Sequence, residues 1–113
     1  MGKDKQRGLF PGALELMILR TLVRQPLHGY ALVKAIQQAS DELLQIEEGS
    51  LYPALQRLLV NGWVSAEWGV TDTGRKARTY RITAAGRKHL VAETSEFEQM
   101  LQAISRVMAR GTS

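Results

Sequence analysis

Between residues 71 and 90 the chain carries Arg75, Lys76, Arg78, Arg81, Arg87 and Lys88 against a single acid, Asp72. A concentration of fixed positive charge like this attracts polyanions, nucleic acid foremost. Elsewhere, residues 1–40 hold Lys3, Lys5, Arg7, Arg20, Arg24 and Lys34 against Asp4 and Glu15, and Asp41, Glu42, Glu47 and Glu48 form an acidic patch. Catalysis finds little to work with. His28 and His89 are the only imidazoles, and neither has a metal-ligand or nucleophile pattern beside it. A capping or surface role suits both. Glu47 and Glu48 are adjacent carboxylates, but acidic residues are also what a helix start favours. Gly69 and Gly74 do not form a glycine-rich phosphate loop. Cysteine is absent, which removes disulfides, thiolate zinc sites and cysteine nucleophiles. No enzyme activity, metal or cofactor is expected.

The elements that must carry the basic residues can be read from periodicity. At 113 residues, 44% hydrophobic and 23% charged, the chain has the make-up of one small folded domain with an extra helix. A chain of this size buries only about two-thirds of its unfolded surface, so a partner subunit would help it. No run of about 18 apolar residues is present, and no apolar core follows Met1-Gly2-Lys3-Asp4-Lys5. The expectation is a cytoplasmic protein without a membrane segment.

Pro11 suits the first turn of a helix over Gly12 to Arg24. That helix is apolar on two sides, Leu14, Ile18 and Leu22 against Leu16, Leu19 and Val23, so something beyond the local core should cover it. Gln25-Pro26-Leu27 reads as a break, and a second helix follows from His28 to Ala39. Leu43 to Ile46 is a short strand or an extended link. Ser50 is a candidate N-cap for a third helix ending near Asn61-Gly62, with Pro53 tolerated in its first turn. Val64, Ala66, Trp68 and Val70 then alternate with Ser65 and Glu67, the period of a strand. Turn residues Thr71 to Gly74 lead to a second strand from Arg78 to Thr83, completing a hairpin. Thr83 caps a fourth helix from Ala84 to Ala109.

Three helices, a hairpin and a helix are the order of a winged helix-turn-helix. The fold class expected is therefore α+β, mainly α. It comprises a flexible basic arm at 1–10, a winged domain at 11–83, a dimerisation helix at 84–109 and a tail at 110–113. In this architecture the third helix enters a DNA major groove and the wing meets phosphates or the minor groove. Arg75 and Lys76 then fall at the wing tip, with Arg78 on the returning strand. On the third helix, Leu51, Leu55, Leu58 and Leu59 share the core arc. Ser50, Pro53, Gln56, Arg57 and Val60 lie opposite, with Tyr52 on the flank. Gln56 can pair bidentately with adenine, and Arg57 with guanine or a phosphate. Val60 reads as a thymine-methyl contact or as rim packing.

Leu27-His28-Gly29-Tyr30-Ala31-Leu32, Glu48-Gly49-Ser50-Leu51-Tyr52-Pro53-Ala54-Leu55, Gly62-Trp63 and Tyr80-Arg81-Ile82-Thr83-Ala84-Ala85-Gly86 resemble the PadR family of bacterial transcriptional regulators. The resemblance spans roughly Leu14 to Leu90, and the Gly-Ser-Leu-Tyr-Pro-Ala-Leu block is its most specific part. It implies a homodimer that binds a near-palindromic double-stranded operator and usually represses. It also implies DNA contacts from Tyr30, Lys34, Ser50, Tyr52, Pro53 and the basic wing residues. Length places the chain with the short members, some of which stack planar drugs on a Trp of the last helix. Here that helix has no Trp, and Phe97 is its only aromatic. A small-molecule effector between the last helix and its partner would suit the family, but no residue identifies one.

Leu90, Phe97 and Ile104 recur every seven residues, as do Thr94, Leu101 and Met108, with Met100 and Val107 widening the seam. Helix-to-helix pairing between two chains would cover it, against Leu16, Leu19 and Val23 of the first helix. The competing reading of the whole is a winged helix used as a protein-interaction adaptor. That reading would call for an apolar or acidic outward face on the third helix.

Overall fold

The computed structural model describes residues 12–111. The basic arm at 1–10, Pro11 and the end of the tail lie outside the described residues. The elements run α1 (Ala13–Arg24), β1 (Leu27–His28), α2 (Gly29–Ala39), α3 (Glu48–Val60), β2 (Val64–Val70), β3 (Lys76–Ile82) and α4 (Ala84–Gly111). Helices thus dominate, and the three strands form one antiparallel sheet in the order β1-β3-β2. This is the expected winged architecture, with α4 running two residues past Ala109 into what the sequence suggests is tail.

Helix α1 sits at the centre, packed by α2, α3, β3 and α4. That explains its apolar girth. Ala13, Leu14, Ile18, Leu19 and Leu22 are all buried, while Leu16 and Val23 are half-buried at the rim of the core. Leu19 is therefore not available to a partner chain, contrary to expectation: α1 is enclosed over a wide arc within its own protomer. Leu90 is corrected in the same way, because the first turns of α4 fold back on α1 and put Leu90 in the core.

Strand β1 falls where the sequence suggests only a break. Leu27 pairs with Tyr80 and His28 with Thr79, an addition to the hairpin too short to show alternation. His28 then becomes the N-cap of α2, its Nδ1 accepting a hydrogen bond from the Ala31 N–H at 3.3 Å. Of the alternatives for Leu43 to Ile46, the structure has the extended link. It leaves α2 through Asp41 and Glu42, both at positive φ, and buries Ile46 in the core.

The junction between α3 and α4 is closely tied. Helix α3 ends in a Schellman arrangement: the Trp63 N–H bonds Leu58 O and the Gly62 N–H bonds Leu59 O, both at 3.0 Å, with Gly62 at φ 76°. Thr83, the expected cap of α4, accepts from the Gly86 N–H at 3.0 Å. It also donates its hydroxyl to Gly62 O at 2.7 Å, and its own N–H to Trp63 O at 3.1 Å. Below this knot the Trp63 and His89 rings stack with centroids 3.5 Å apart. A β-carbon at position 86 would collide with the Trp63 carbonyl oxygen, which is backbone and cannot swing away. Gly86→Ala should therefore destabilise the domain by about 2–4 kcal/mol, measured as a lowered urea midpoint. A change below about 0.5 kcal/mol would mean the knot can open without cost.

Candidate nucleic-acid interface

Helix α3 begins earlier than its sequence suggests. Glu47 is the N-cap residue, and its carbonyl accepts from the N–H groups of Ser50 and Leu51 at 2.9 and 3.0 Å. Ser50 is thus the third helical residue and not the cap. Pro53 consequently lies inside the helix, beyond the first turn, where it supplies no N–H to the Gly49 carbonyl. Leu51, Ala54, Leu55 and Leu58 are buried, which orients the rest of the helix. At about 100° per residue, Pro53, Gln56, Arg57 and Val60 share one exposed face. Ser50 is half-buried at its edge. Glu48 lies about 140° round from Pro53, so it turns away from that face, although Glu47 and Glu48 both stand at the N-terminal end of the helix.

Two helices wall this face. On the α2 side, the Tyr52 ring lies over Gly29: a β-carbon there would stand 2.8 Å from the Tyr52 hydroxyl. Tyr30 and Lys34 project from the same helix, one turn apart and exposed, with the Lys34 ammonium 5.6 Å from the Tyr30 ring centre. On the α1 side, Arg57 donates from Nε to the Glu15 carboxylate at 2.7 Å. That hydrogen bond raises the pKa of the guanidinium above its ordinary value, so Arg57 stays charged at any working pH. The sequence assigns Arg57 to a base or a phosphate; the structure engages it with a carboxylate while leaving its side chain 57% exposed.

The wing presents its charges separately. Its tip is organised by Thr71, whose N–H bonds Arg75 O at 2.8 Å and whose hydroxyl accepts from the Arg75 N–H at 3.2 Å. Arg75 and Lys76 are exposed there. Arg78 is half-buried and flanked by two rings, its guanidinium 5.8 Å from the centre of Trp68 and 6.0 Å from that of Tyr80. Cross-strand partners share a face, so Val64, Ala66, Trp68 and Val70 line up with Ile82, Tyr80, Arg78 and Lys76. The alternation is as read from the sequence, but the core ends half-way along it. Val64 is buried and Ala66 half-buried, whereas Trp68 is 69% and Val70 72% exposed beside a shallow surface depression.

Two residues of this surface escape sequence reading. Trp68 carries an alternation identical to that of a core residue, and nothing local says where the core stops. Glu15 meets Arg57 across 42 residues, with no signal in either neighbourhood. Among the described residues no three His, Asp or Glu side chains gather in a metal-binding group. No helix among them is long and apolar enough to cross a membrane.

The PadR-like transcriptional regulator family model matches residues 18–92, a span that takes in α2, α3, the wing and the α3–α4 knot. The chain belongs to the PadR-like family. Its members are transcriptional regulators, not enzymes. Transcriptional regulator Rv3488 of Mycobacterium tuberculosis is 34% identical over 92 residues, 81% of this chain and 82% of the relative. Among solved structures, a transcriptional regulator from Clostridium thermocellum superposes with a TM-score of 0.78 at 32% identity, covering 85% of this chain and 93% of that one. A PadR-family regulator from Eggerthella lenta gives 0.73 at 28% identity, over 87% and 83% of the two chains.

The Gly29–Tyr52 approach yields a test that does not depend on any ligand. Gly29→Ala should cost stability only as far as the exposed Tyr52 side chain must move aside, about 1 kcal/mol. Adding Tyr52→Phe, which removes the crowded hydroxyl, should recover a measurable part of that loss in urea titrations. Purely additive losses would show that the two positions do not touch.

Proposed function

We propose that this PadR-type regulator binds a near-palindromic double-stranded operator as a homodimer and represses transcription from it. The observation that carries the reading is the exposed face of α3. It carries no acid, and sets Gln56 and Arg57 beside the apolar Pro53 and the exposed Val60, between Tyr30 and Lys34 on one side and α1 on the other. Ser50 and Tyr52 border it, and Arg75, Lys76 and Arg78 supply the wing's charge. Gln56 suits adenine in a major groove, Arg57 suits guanine, and the wing cations suit phosphates.

Helix α4 supports the dimer. Its 28 residues span about 42 Å, well beyond the body of the domain. Thr94 and Phe97 are half-buried along it. Past them, Met100, Leu101, Ile104, Val107 and Met108 remain exposed on the protomer. These are apolar side chains that a second copy would cover, and Leu16 and Val23, half-buried on α1, are the residues of that helix still open to it. Two α3 helices in successive major grooves would stand about 34 Å apart.

Titration with DNA from upstream of the protein's own gene and with random duplex, at several salt concentrations, tests the reading. Preference for the upstream DNA by about a thousandfold or more, with affinity falling steeply in salt, is the expected result. Equal weak binding to both would mean that the operator lies elsewhere or that the basic charge only solvates the surface, and no binding even at low salt would sink the reading in favour of a protein-interaction adaptor. Leu101 is exposed, so Leu101→Glu leaves the core intact. The variant should sediment as a monomer and lose operator affinity at least tenfold, about 1.4 kcal/mol. A variant that still sediments as a dimer would remove α4 from the interface.

A further inference from the structure

We propose that Glu15 sets the base discrimination of Arg57: it grips the guanidinium by Nε, turns the two terminal nitrogens toward a guanine, and holds the cation back from phosphates. The proposal rests on the DNA-binding reading above and adds to it a residue outside α3.

The geometry begins with the single engaged donor. A guanidinium is a planar fork with five N–H groups, one on Nε and four on the terminal nitrogens. The bond to Glu15 uses Nε, at 2.7 Å. Pinning Nε–H leaves the terminal edge in the same plane and pointing away from the carboxylate. Bidentate pairing to O6 and N7 of guanine asks for two parallel donors in one plane. Arg57 stands about 40° round α3 from Pro53, inside the exposed face, and its side chain is 57% exposed. The held cation therefore remains reachable.

The holder is itself fixed. Glu15 is in the first turn of α1, where the helix dipole favours an anion. Its side chain is only 21% exposed. Helix α1 is packed by α2, α3, β3 and α4, so the carboxylate sits on a helix enclosed by four other elements. A free arginine would have to lose several rotatable torsions on meeting a base, whereas this one has lost much of that freedom beforehand.

Charge then separates the two targets. Guanine is a neutral acceptor, and pairing with it leaves the Arg57–Glu15 bond in place. A phosphate that drew Arg57 off would strand the Glu15 carboxylate beside the DNA backbone, like charge against like. While the pair is intact, the two side chains together add no net charge to the interface. An ion pair as exposed as this adds little to stability, so its consequence lies in recognition.

Selection of binding sites from a random duplex pool by the full-length protein, by Glu15→Ala and by Arg57→Ala tests this, and the operator sequence need not be known. The wild type should enrich a motif with a symmetry-related pair of guanines. Glu15→Ala should reduce the preference at those same two positions by about tenfold, and Arg57→Ala should abolish it there. Affinity of Glu15→Ala for random duplex should be unchanged or higher, with a salt slope steeper by about one unit per reading head as the freed cation takes a phosphate. Glu15→Gln, which keeps an acceptor but not the charge, should fall between. Undiminished guanine preference in Glu15→Ala would overturn the proposal. So would a uniform loss of affinity at every position with no change of slope, the signature of a clamp that merely holds α3 on α1. Failure of the wild type to enrich any sequence would instead refute the DNA-binding reading itself, and thermal melts of the variants would identify any that fail to fold.

Discussion

Thr83 stands where three elements meet: its hydroxyl bonds Gly62 O at the end of α3, its N–H bonds Trp63 O, and its oxygen caps Gly86 N at the start of α4. β3 delivers the chain to this point, and Gly86 lets α4 approach the Trp63 carbonyl closely enough to finish it. The arrangement depends on residue types with little freedom to change. A larger residue at 86 meets backbone, and a residue without a hydroxyl at 83 leaves two orphan partners at once. Because the knot fixes the end of α3 to the root of α4, the exposed face of α3 and the protruding apolar helix are parts of one rigid relationship.

From that fixed end, α3 is held along both flanks. Gly29 admits Tyr52 on the α2 side, and Glu15 takes Arg57 on the α1 side. The surface between is narrow and shaped by its neighbours as much as by its own sequence. Electrostatically it is milder than the residue count suggests, since one of its cations is neutralised in place. The stronger positive charge is displaced to the wing tip, at Arg75 and Lys76. In the proposed complex such a division would put non-selective attraction on the hairpin and selective contact on the helix.

Most of this fold is legible because its periodicities are strong. The alternation of Val64 to Val70, the leucines of α3 and the Thr83 cap each follow from a local rule, and each lies where that rule puts it. What cannot be read locally shares a different cause. Leu19 and Leu90 have the spacing of surface seams, yet α1 is enclosed on nearly every side and takes both into the core. Strand β1 is two residues long, too short for any period to register. Ser50 looks like a cap because serine usually is one, but the helix starts at Glu48 and makes it the third residue of the first turn. At the candidate site, the exposed residues of α3, α2 and the wing tip are identifiable from side-chain type, whereas the Glu15 contact and the exposure of Trp68 are products of tertiary placement.

The length of α4 has a mechanical side. It is a rod of about 42 Å, welded at one end to the domain by the Thr83 knot. When its far end is the part held by another body, any tilt of the rod is delivered to the domain as translation. A swing of about 5° over that length carries α3 through roughly 4 Å, slightly more than the 3.4 Å step between neighbouring base pairs. In the proposed dimer, agreement between two such domains on one duplex would therefore be a matter of a few degrees. In that arrangement the rod would convert a change of about 5° at its outer end into about one base pair of misalignment at the other.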